Sequence, residues 1–440
     1  MVSQDDLTVR TLGPCLVESP LAPRLRVRET TQHVVAEDDR VLFHDTVGTA
    51  GERGATLEQL PSVEPGGPRK SIYFDPAATR AGIVTCGGLC PGLNDVIRGL
   101  VLELHRHYGV TRVLGFQHGF RGFIPEYGEA VVELTPQVVA DIDDEGGTIL
   151  GTSRGSQDAG RIVDALERTG VNMLFVIGGD GTIRGAMGVD RVVEERGLDI
   201  AVVAVPKTID NDIPYIDQSF GFQTAMAEAT KSIQAASVEA RAAPNGVGLV
   251  KLMGRHSGFI ACYATLAKDD AHCVLIPEVP FALHGRTGLL DYVRGRVESL
   301  GHAVVVVAEG AGQEHLAEQE PGRDASGNVR LGDIGRLLRR LIVEDFETHA
   351  MEVNVRYFDP SYAIRSVPAN PFDSAYCLRL AQAAVHAAMA GRTGIIVGRR
   401  RRRFVHLPMS LAVSRRNHVD LAGDLWMSVL EATGQPMRFE

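Results

Sequence analysis

The feature that most constrains the fold of this chain is a repeated order of short apolar run, turn and helical pattern. The apolar runs lie at residues 81–85, 171–177, 200–205, 247–252, 273–276, 303–308 and 394–397. The helical patterns lie at residues 93–107, 160–168, 183–196, 224–239, 288–300, 334–347 and 373–390. Continuous apolar strands that alternate with helices predict an α/β fold whose parallel sheets are covered on both faces. Ligands of such sheets bind beyond the carboxyl ends of the strands, so the turns after the runs are the candidate functional positions.

Size and charge limit the class of protein. With 440 residues the chain exceeds one ordinary core, and two domains are expected. No apolar run reaches the ~18 residues that a membrane-spanning helix needs, and the N-terminal residues lack the pattern of a secretory signal. The net charge of −10 argues against non-specific nucleic-acid binding.

The six cysteines form no CxxC pair, which argues against a zinc site and a disulfide framework. A reducing cytoplasm is the expected location. Cys86 and Cys90 flank a glycine turn and are interpreted as small packing residues.

Two segments stand apart from the repeated order. Residues 1–78 differ in composition, and within them residues 51–69, rich in Gly, Pro and charge, predict a loop. Residues 399–403 are five consecutive arginines, interpreted as a solvated loop or a contact between subunits rather than a polyanion site.

Three glycine-rich turns could hold phosphate groups through backbone amides. Residues 85–94, TCGGLCPGLN, lack the Lys and Ser/Thr of a P-loop, so a purely structural turn remains open. Arg154 stands between small residues that leave room for an anion, although it could equally be a surface arginine. In residues 178–182, GGDGT, Asp180 is well placed for Mg²⁺, with a hairpin turn as the alternative.

Residues 206–212, PKTIDND, carry the strongest catalytic signal. Two carboxylates two positions apart can divide the roles of proton acceptor and electrostatic partner, here Asp210 and Asp212. Thr208 can donate a hydrogen bond to a phosphoryl group, and Lys207 precedes it. The alternative is a helix cap with solvated acids. Together with the glycine turns, this segment indicates transfer of a phosphoryl group to an alcohol.

Three later segments offer groups for a phosphorylated sugar. Arg255 follows the run at 247–252, and Glu309 directly follows the run at 303–308. In residues 356–365, RYFDPSYAIR, the cations of Arg356 and Arg365 and the phenol of Tyr362 suit a phosphomonoester. Taken singly, each of these groups could be structural.

In this order and spacing, the segments TCGGLCPGLNDVIRG, GTSRG, GGDGT, PKTIDND, KLMGRHSG, AEG and DPSYAIRS resemble those of the 6-phosphofructokinases, over about residues 78–415. The N-terminal part, with EDDRVLFHD, is similar to the long plant and trypanosome type. The resemblance implies two αβα (Rossmann-like) domains with mainly parallel sheets and an active site between them. It divides the chain into an N-terminal extension (1–78), a nucleotide-binding domain (79–221 plus about 365–415) and a fructose 6-phosphate-binding domain (222–364 plus about 416–440).

The resemblance also implies a role for individual residues. Those expected to contact the nucleotide are Gly88, Arg154, Gly155, Gly179, Asp180, Gly181 and Thr182, with Asp180 holding Mg²⁺. Those expected to be catalytic are Asp210 (the base toward the sugar 1-hydroxyl), Asp212, Thr208 and Arg255. Those expected to contact fructose 6-phosphate are Thr208, Ile209, Asp210, Met253, Gly254, Arg255, Glu309, Arg356, Tyr362 and Arg365.

The identity of the donor follows from two positions. In this family glycine at position 181 accompanies ATP, whereas aspartate there accompanies pyrophosphate. Lys207 occurs in the pyrophosphate users, but the plant and trypanosome ATP enzymes combine it with glycine, as this chain does. The resemblance therefore favours ATP with Mg²⁺, and fructose 1,6-bisphosphate and ADP as products.

Three alternatives remain: a pyrophosphate-dependent enzyme, a lipid or NAD kinase that shares GGDGT, and a non-catalytic regulatory subunit. Family analogy suggests an allosteric homodimer or homotetramer, without a nucleic-acid or membrane partner.

Overall fold

The computed structural model describes residues 2–23, 26–27, 31–32, 34–44, 59–316, 322 and 329–440. The strands in the first half of the chain are β1 (Arg10–Thr11), β2 (Val17–Glu18), β3 (Arg26–Val27), β4 (Thr31–Gln32), β5 (Val41–Leu42), β6 (Ser62–Pro65), β7 (Ser71–Ile72), β8 (Arg80–Thr85), β9 (Arg112–Phe116), β10 (Val131–Glu133), β11 (Met173–Gly178) and β12 (Ala201–Pro206). Those in the second half are β13 (Gly246–Leu252), β14 (Cys273–Leu275), β15 (His302–Ala308), β16 (Asn354–Phe358), β17 (Arg392–Thr393), β18 (Ile395–Arg400) and β19 (Arg403–Pro408).

The α-helices are α1 (Leu93–Glu103), α2 (Ala159–Thr169), α3 (Asp180–Glu195), α4 (Phe222–Ala242), α5 (Phe259–Lys268), α6 (Leu289–Leu300), α7 (Ile334–Thr348), α8 (Pro371–Met389), α9 (Met409–Ala412) and α10 (Asp424–Thr433). Several of these helices begin at a residue whose side chain caps the N-terminus. The carboxylate of Asp158 accepts from the backbone N–H of Arg161 to begin α2, and Asn370 accepts from Asp373 to begin α8.

The chain forms two compact units. Unit 1 comprises Met1–Thr208, Ile213–Gly221 and Val367–Arg415, and unit 2 comprises Ile209–Asp212, Phe222–Ser366 and Arg416–Glu440. The predicted N-terminal extension, residues 1–78, lies within unit 1 where it is described.

Unit 1 contains a nine-stranded sheet in the order β10-β9-β8-β11-β12-β18-β19-β6-β5. The five strands from β9 to β18 run parallel, and the strands at both margins are antiparallel. Every residue of β11 and β12 is buried. Helices α1 and α8 pack together on one side, while α2 and α3 pack together on the other. Covering both faces explains why these strands are continuously apolar.

Unit 2 contains a four-stranded parallel sheet in the order β14-β15-β13-β16. Helix α4 packs on β13, β15 and β16, and α6 and α7 pack on the sheet as well. Buried side chains from β13, β15, α6 and α7 form one apolar cluster that includes Leu249, Val305, Val293 and Leu338.

The N-terminal segment is joined to unit 1 through a buried cluster of charges. The guanidinium groups of Arg69 and Arg392 are 2.5 and 2.6 Å from the Glu64 carboxylate of β6, and Nδ1 of His406 is 3.2 Å from it. Arg69 and Arg392 also pair with Glu37, each at 2.7 Å. Burial alone would raise the pKa of Glu64, but the hydrogen bonds from His406 and Arg392 hold it well below its usual range.

The predicted α/β class is confirmed, and all seven apolar runs and all seven helical patterns form the expected elements. The loop predicted at 399–403 is wrong for Arg399 and Arg400, which end β18, and for Arg403, which begins β19, whereas Arg401 and Arg402 form the turn between these strands. Part of the loop predicted at 51–69 is strand β6, and its residues 51–58 lie outside the described residues. Strand β16 has no continuous apolar run, since it is only half-buried, and α5 is too uniformly apolar to give an amphipathic pattern.

Candidate active site

In unit 1, three candidate turns leave one edge of the parallel sheet. Ile177 of β11 pairs with Thr85 of β8, and Gly178 pairs with Pro206 of β12. The turns at 86–92, 179–182 and 207–208 therefore begin side by side at the carboxyl ends of adjacent strands, where ligands bind in this class of sheet.

Backbone hydrogen bonds hold these turns to one another. The N–H of Lys207 donates to the carbonyl of Gly178 at 3.0 Å. The N–H of Gly87 donates to the carbonyl of Ser153 at 3.1 Å, and the hydroxyl of Thr152 donates to the carbonyl of Gly87 at 2.6 Å. The segment that carries Arg154 is thereby tied to the first glycine turn.

The side chain of Lys207 lies among these turns. The residue is buried, and its ammonium group donates to the carbonyl of Gly88 at 2.6 Å. A Cβ atom at Gly87, which has φ +86°, would lie 3.8 Å from both Nζ of Lys207 and Oγ1 of Thr182. The residues predicted from the first and third turns thus meet around one buried cation.

The three glycines at the end of β11 and the start of α3 differ in how much space a side chain would have. A Cβ at Gly178 would collide with the side chain of Thr182, and one at Gly179 would lie 3.2 Å from the carbonyl of Lys207. At Gly181, however, a Cβ would meet nothing within 4 Å. Packing explains the first two glycines but not Gly181, which leaves open space that a ligand can use.

Asp180 begins α3, with Gly179 as its N-cap. Its Oδ1 lies 3.1 Å from Nε of Arg184, whose Nη2 donates to the carbonyl of Val413 at 2.7 Å. Among the described residues, no group of three or more His, Cys, Asp or Glu side chains could hold a metal ion. This donor set does not fit an all-protein metal cage, but one carboxylate fits Mg²⁺, which takes its other ligands from water and phosphate oxygens.

Arg154 and Gly155 are exposed, and Gly155 has φ +99°. They lie on the loop tied to Gly87 through Thr152 and Ser153, so the sequence-predicted residues of unit 1 share one sheet edge.

In unit 2, a second set of turns leaves the carboxyl ends of β13 and β15. Leu252 of β13 pairs with Ala308 of β15, and the N–H of Glu309 donates to the carbonyl of Leu252 at 2.9 Å. The N–H of Gly310 donates to the carbonyl of Gly254, whose φ of +136° requires glycine. Met253, Gly254 and Arg255 are thereby held beside Glu309.

The pKa of Asp210 lies well above that of an ordinary carboxyl. Burial, followed by the nearby charges of Asp212 and Glu309, raises the pKa of Asp210 to about 7. Its backbone carbonyl accepts a hydrogen bond from the Ser257 hydroxyl at 2.9 Å. A carboxyl with a pKa near neutrality is suited to accept a proton during catalysis.

Asp212 is bound by two residues from the C-terminal part of the chain. Nη1 of Arg416 lies 3.4 Å from its carboxylate, and the N–H of Asn417 donates to its carbonyl at 2.8 Å. Asp212 therefore keeps a partner cation while it contributes negative charge near Asp210.

The pKa of Glu309 is raised by burial, although the cations of Arg255, Lys251 and Arg365 oppose this shift. The pKa of His256 is lowered to about 4 by burial and by Arg416 and Arg255. At physiological pH His256 is therefore neutral and a weaker base than Asp210, which is the better proton acceptor of the two.

The last predicted residues follow strand β16 or belong to it. Tyr362 is 65% exposed, and the guanidinium of Arg365 lies 4.5 Å from the centre of its ring. Arg356 lies within β16 and pairs with Glu239 of α4 at 3.6 Å.

One further predicted residue, Ile209, is buried and precedes Asp210 in the segment that belongs to unit 2.

Sequence reasoning did not single out several neighbours of the predicted residues. Lys251 lies 3.1 Å from Asp333 and 2.9 Å from Asp359. Arg184, four residues after Asp180 on a helix, could have been found from its spacing. Arg416 follows no motif, and only the structure brings it to Asp212.

Comparisons with known proteins identify the family of this chain. The Phosphofructokinase family matches residues 80–388. An ATP-dependent 6-phosphofructokinase of Amycolatopsis methanolica is 60% identical, over 99% of this chain and 96% of its own length. ATP-dependent 6-phosphofructokinase 7 of Arabidopsis thaliana is 46% identical, over 95% of this chain and 85% of its own length.

Solved structures with the same fold include a pyrophosphate-dependent phosphofructokinase of Marinobacter aquaeolei, with a TM-score of 0.66 and 20% identity, covering 81% of this chain and 91% of that one. Pichia pastoris phosphofructokinase in the T-state has a TM-score of 0.64 and 21% identity, covering 81% of this chain and 37% of that one. Within the described ranges, no helix combines the length and hydropathy needed to cross a membrane. From the matched family and from relatives that align along nearly their whole length, it follows that this chain belongs to the phosphofructokinase family.

Proposed function

We propose that this chain transfers the γ-phosphoryl group of ATP to the 1-hydroxyl of fructose 6-phosphate, giving fructose 1,6-bisphosphate and ADP. The observation that carries this proposal is Asp210, a carboxyl with a pKa near 7, in a chain 60% identical to an ATP-dependent 6-phosphofructokinase. A regulatory subunit without activity would not need a proton acceptor adjusted to neutral pH.

Asp210 performs the proton step. Its ionised carboxylate accepts the proton of the sugar 1-hydroxyl as that oxygen forms a bond to the γ-phosphorus. The bond from the γ-phosphorus to the bridging oxygen breaks, and ADP leaves. Asp212, held by Arg416, favours proton uptake at Asp210 through its negative charge.

The glycine turns of unit 1 bind the donor. Backbone N–H groups at the start of α3 and in the turn after β8 suit phosphate oxygens, and Lys207 supplies a buried cation beside them. Mg²⁺, when bound with the donor, neutralises phosphate charge, and Asp180 is the residue that would hold it. Thr208, Gly88, Arg154, Gly155 and Thr182 complete this set.

The turns of unit 2 bind the sugar phosphate. Arg255 and Arg365 supply cations for phosphate oxygens, and Glu309 accepts hydrogen bonds from sugar hydroxyls. Tyr362, exposed beside Arg365, is available to a ligand. Arg356 would reach a phosphate only by leaving Glu239, a weak pair at 3.6 Å.

The choice of ATP over pyrophosphate depends on Gly181. The open space around its Cβ direction leaves room for the rest of a nucleotide. Lys207 is the one residue that favours a pyrophosphate-dependent enzyme as the second candidate, and its hydrogen bond to Gly88 is compatible with either donor.

The expected cytoplasmic location and a homodimeric or homotetrameric assembly complete the proposal. Among the described residues the six cysteines form no disulfide, and five of them are buried, which suits a reducing compartment.

A coupled assay of the purified protein with fructose 6-phosphate and Mg²⁺ tests the function. With ATP we expect turnover, and with pyrophosphate we expect at most a trace. Turnover with pyrophosphate alone would select the second candidate, and no turnover with either donor would reject both.

A further inference from the structure

Residues 213–221, which we call the exit segment, connect the residues that carry Asp210 and Asp212 to helix α4. The chain belongs to unit 1 up to Thr208, to unit 2 over Ile209–Asp212, and to unit 1 again over Ile213–Gly221. The two carboxylates therefore lie on a short stretch whose two flanks both belong to unit 1. Whatever fixes those flanks limits the positions that the carboxylates can take.

The flank before the two carboxylates is held by the exit segment. The Ser219 hydroxyl donates to the carbonyl of Thr208 at 2.5 Å, and Phe220 forms a parallel bridge with Lys207. The exit segment thus returns beside the residues that precede the carboxylates. What remains to be fixed is the path of the chain from Asp212 to Ser219.

The backbone on this path adopts an uncommon conformation. Tyr215 has φ +68°, and Asn211, directly before Asp212, has φ +54°. The left-handed region is unfavourable for a tyrosine and persists only where surrounding contacts impose it. The contacts around Tyr215 therefore determine how the chain leaves the two carboxylates.

Arg400, from the run of five arginines, makes such a contact. Its Nη1 donates to the carbonyl of Tyr215 at 3.0 Å, and its Nη2 donates to the carbonyl of Phe43 at 2.6 Å. A guanidinium is planar, so two hydrogen bonds from one group fix its orientation as well as its position. One side chain thereby joins the exit segment to the N-terminal segment.

Phe43 supports this guanidinium from below. Its side chain is 1% exposed, and the centre of its ring lies 4.1 Å from Cζ of Arg400 and 5.5 Å from the ring centre of Tyr215. A cation over an aromatic ring is attracted more strongly where water is excluded. Phe43 belongs to the sequence EDDRVLFHD, so this N-terminal motif reaches the exit segment through Arg400.

Strand β18, which ends at Arg400, also holds the residues after Tyr215. The N–H of Asp217 donates to the carbonyl of Arg399 at 2.7 Å. A Cβ at Gly398 would lie 2.2 Å from Cγ2 of Ile216, so glycine at this position lets the exit segment pack directly on the strand. The end of β18 and the exit segment are therefore closely packed on each other.

We propose that Arg400 is a positioning residue for phosphoryl transfer, because it holds the backbone of Tyr215 to that of Phe43. The exit segment then keeps Asp210 and Asp212 where the proton transfer requires them. A displacement of about 1 Å at a reacting group can lower the rate on the order of 10²-fold, so an anchor outside the reacting atoms can control kcat. The catalytic half of this proposal rests on the proposed function, whereas the anchoring half does not.

Anchoring is tested by hydrogen–deuterium exchange. Arg400→Met keeps an unbranched side chain over Phe43 but removes both hydrogen bonds. Backbone amides in the peptide covering residues 209–221 should exchange at least ~10-fold faster in this variant, with β11 unchanged. Arg403→Gln, which alters an exposed arginine of the same run, should exchange like the unchanged protein. Equal exchange in all three proteins would overturn the proposal.

Positioning is tested by kinetics at a temperature at which every variant is folded. In Arg400→Met, kcat should fall by ~10- to 10²-fold. The KM for ATP should stay near its original value, because the donor turns keep their own backbone hydrogen bonds. Arg400→Lys, which can reach one of the two carbonyls, should recover part of the lost kcat. Phe43→Leu, which removes the ring but not the carbonyl, should lower kcat less than Arg400→Met does.

Arg10→Gln separates positioning from stability. This variant breaks an ion pair of the N-terminal segment with Asp190 at 2.6 Å, so it should lower the melting temperature while keeping kcat. An unchanged kcat in Arg400→Met, despite faster exchange, would overturn the positioning role and leave Arg400 as a stabilising residue. Absence of turnover in the unchanged protein would instead reject the proposed function and leave the exchange result intact.

Discussion

The candidate turns of unit 1 and unit 2 leave similar parallel sheets but use different parts of the chain. In unit 1 the turns consist mainly of glycines and backbone hydrogen bonds around one buried lysine, Lys207. In unit 2 they carry carboxylates and arginines in a partly buried cluster, and the pKa values of Asp210 and Glu309 are raised there.

The difference follows from what each set of turns has to do. A phosphate chain needs many donors at fixed positions, which backbone N–H groups supply without side-chain entropy. A proton transfer needs a group whose pKa lies near the working pH, and burial among like charges produces such a group. Four experiments test whether the two sets of turns differ in this way.

The largest effect is expected for Asp210→Asn. Because the amide cannot accept the hydroxyl proton, kcat should fall by ~10²- to 10⁴-fold with a small change in KM. Steady-state kinetics in the coupled assay measure this. Asp217→Asn, an exposed acid seven residues later, serves as the control and should keep its activity. Near-normal turnover of Asp210→Asn would remove the proton-accepting role from unit 2.

Gly181→Asp should change the use of ATP as donor and leave the binding of fructose 6-phosphate unchanged. A carboxylate close to the α-phosphate opposes ATP by repulsion, and kcat/KM for ATP should fall on the order of 10²-fold or more. Gly181→Ala is the matched control, because its Cβ meets no protein atom within 4 Å and it adds no charge. If both variants used ATP equally well, charge at this position would not select the donor.

Lys251→Met should loosen the unit 2 turns. Removing the cation between Asp333 and Asp359 leaves two facing acids, and stability should fall by ~1–3 kcal/mol while KM for fructose 6-phosphate rises several-fold. Lys231→Met, which breaks an exposed pair with Glu228, should cost at most ~0.5 kcal/mol. Thermal unfolding and kinetics distinguish the two, and an unchanged KM in Lys251→Met would limit this lysine to a structural role.

The last experiment concerns the dependence of activity and stability on pH. Since the pKa of Asp210 is about 7, kcat/KM should rise with pH through neutrality, and His256→Gln should keep this profile because the pKa of His256 is about 4. The folded-state pKa of Asp210 is raised, so its contribution to stability is lost as pH rises from its ordinary value through about 7. Asp210→Asn should therefore gain stability over the unchanged protein as pH rises, by on the order of 1–2 kcal/mol at pH 5 and about 4 kcal/mol at pH 8. If the pH dependence of kcat/KM near neutrality disappeared in His256→Gln, the titrating group would be the histidine and not Asp210.

Much of this architecture is predictable from the chain itself. The apolar runs and glycine turns predict the strands and their functional edge, because burial on both faces imposes that pattern. Long-range partners are not predictable in the same way. Arg416 reaches Asp212 across about two hundred positions, and Lys251 finds Asp333 and Asp359 only through the packing of α7 and β16. The strand at 399–400 escaped prediction because a charge run is normally solvated, whereas here the side chains of Arg400 and Arg401 donate to backbone carbonyls.

The buried charge cluster of unit 1 has a consequence for any shortened form of this chain. Strand β6 delivers Glu64 to Arg392 and His406, which belong to the far end of the sequence. A truncated protein that started at Arg80 would retain that guanidinium and that imidazole in its interior while losing the carboxylate that pairs with both. The segment before Arg80 is therefore needed for the stability of unit 1. We expect the truncated protein to aggregate rather than to behave as a minimal catalytic core.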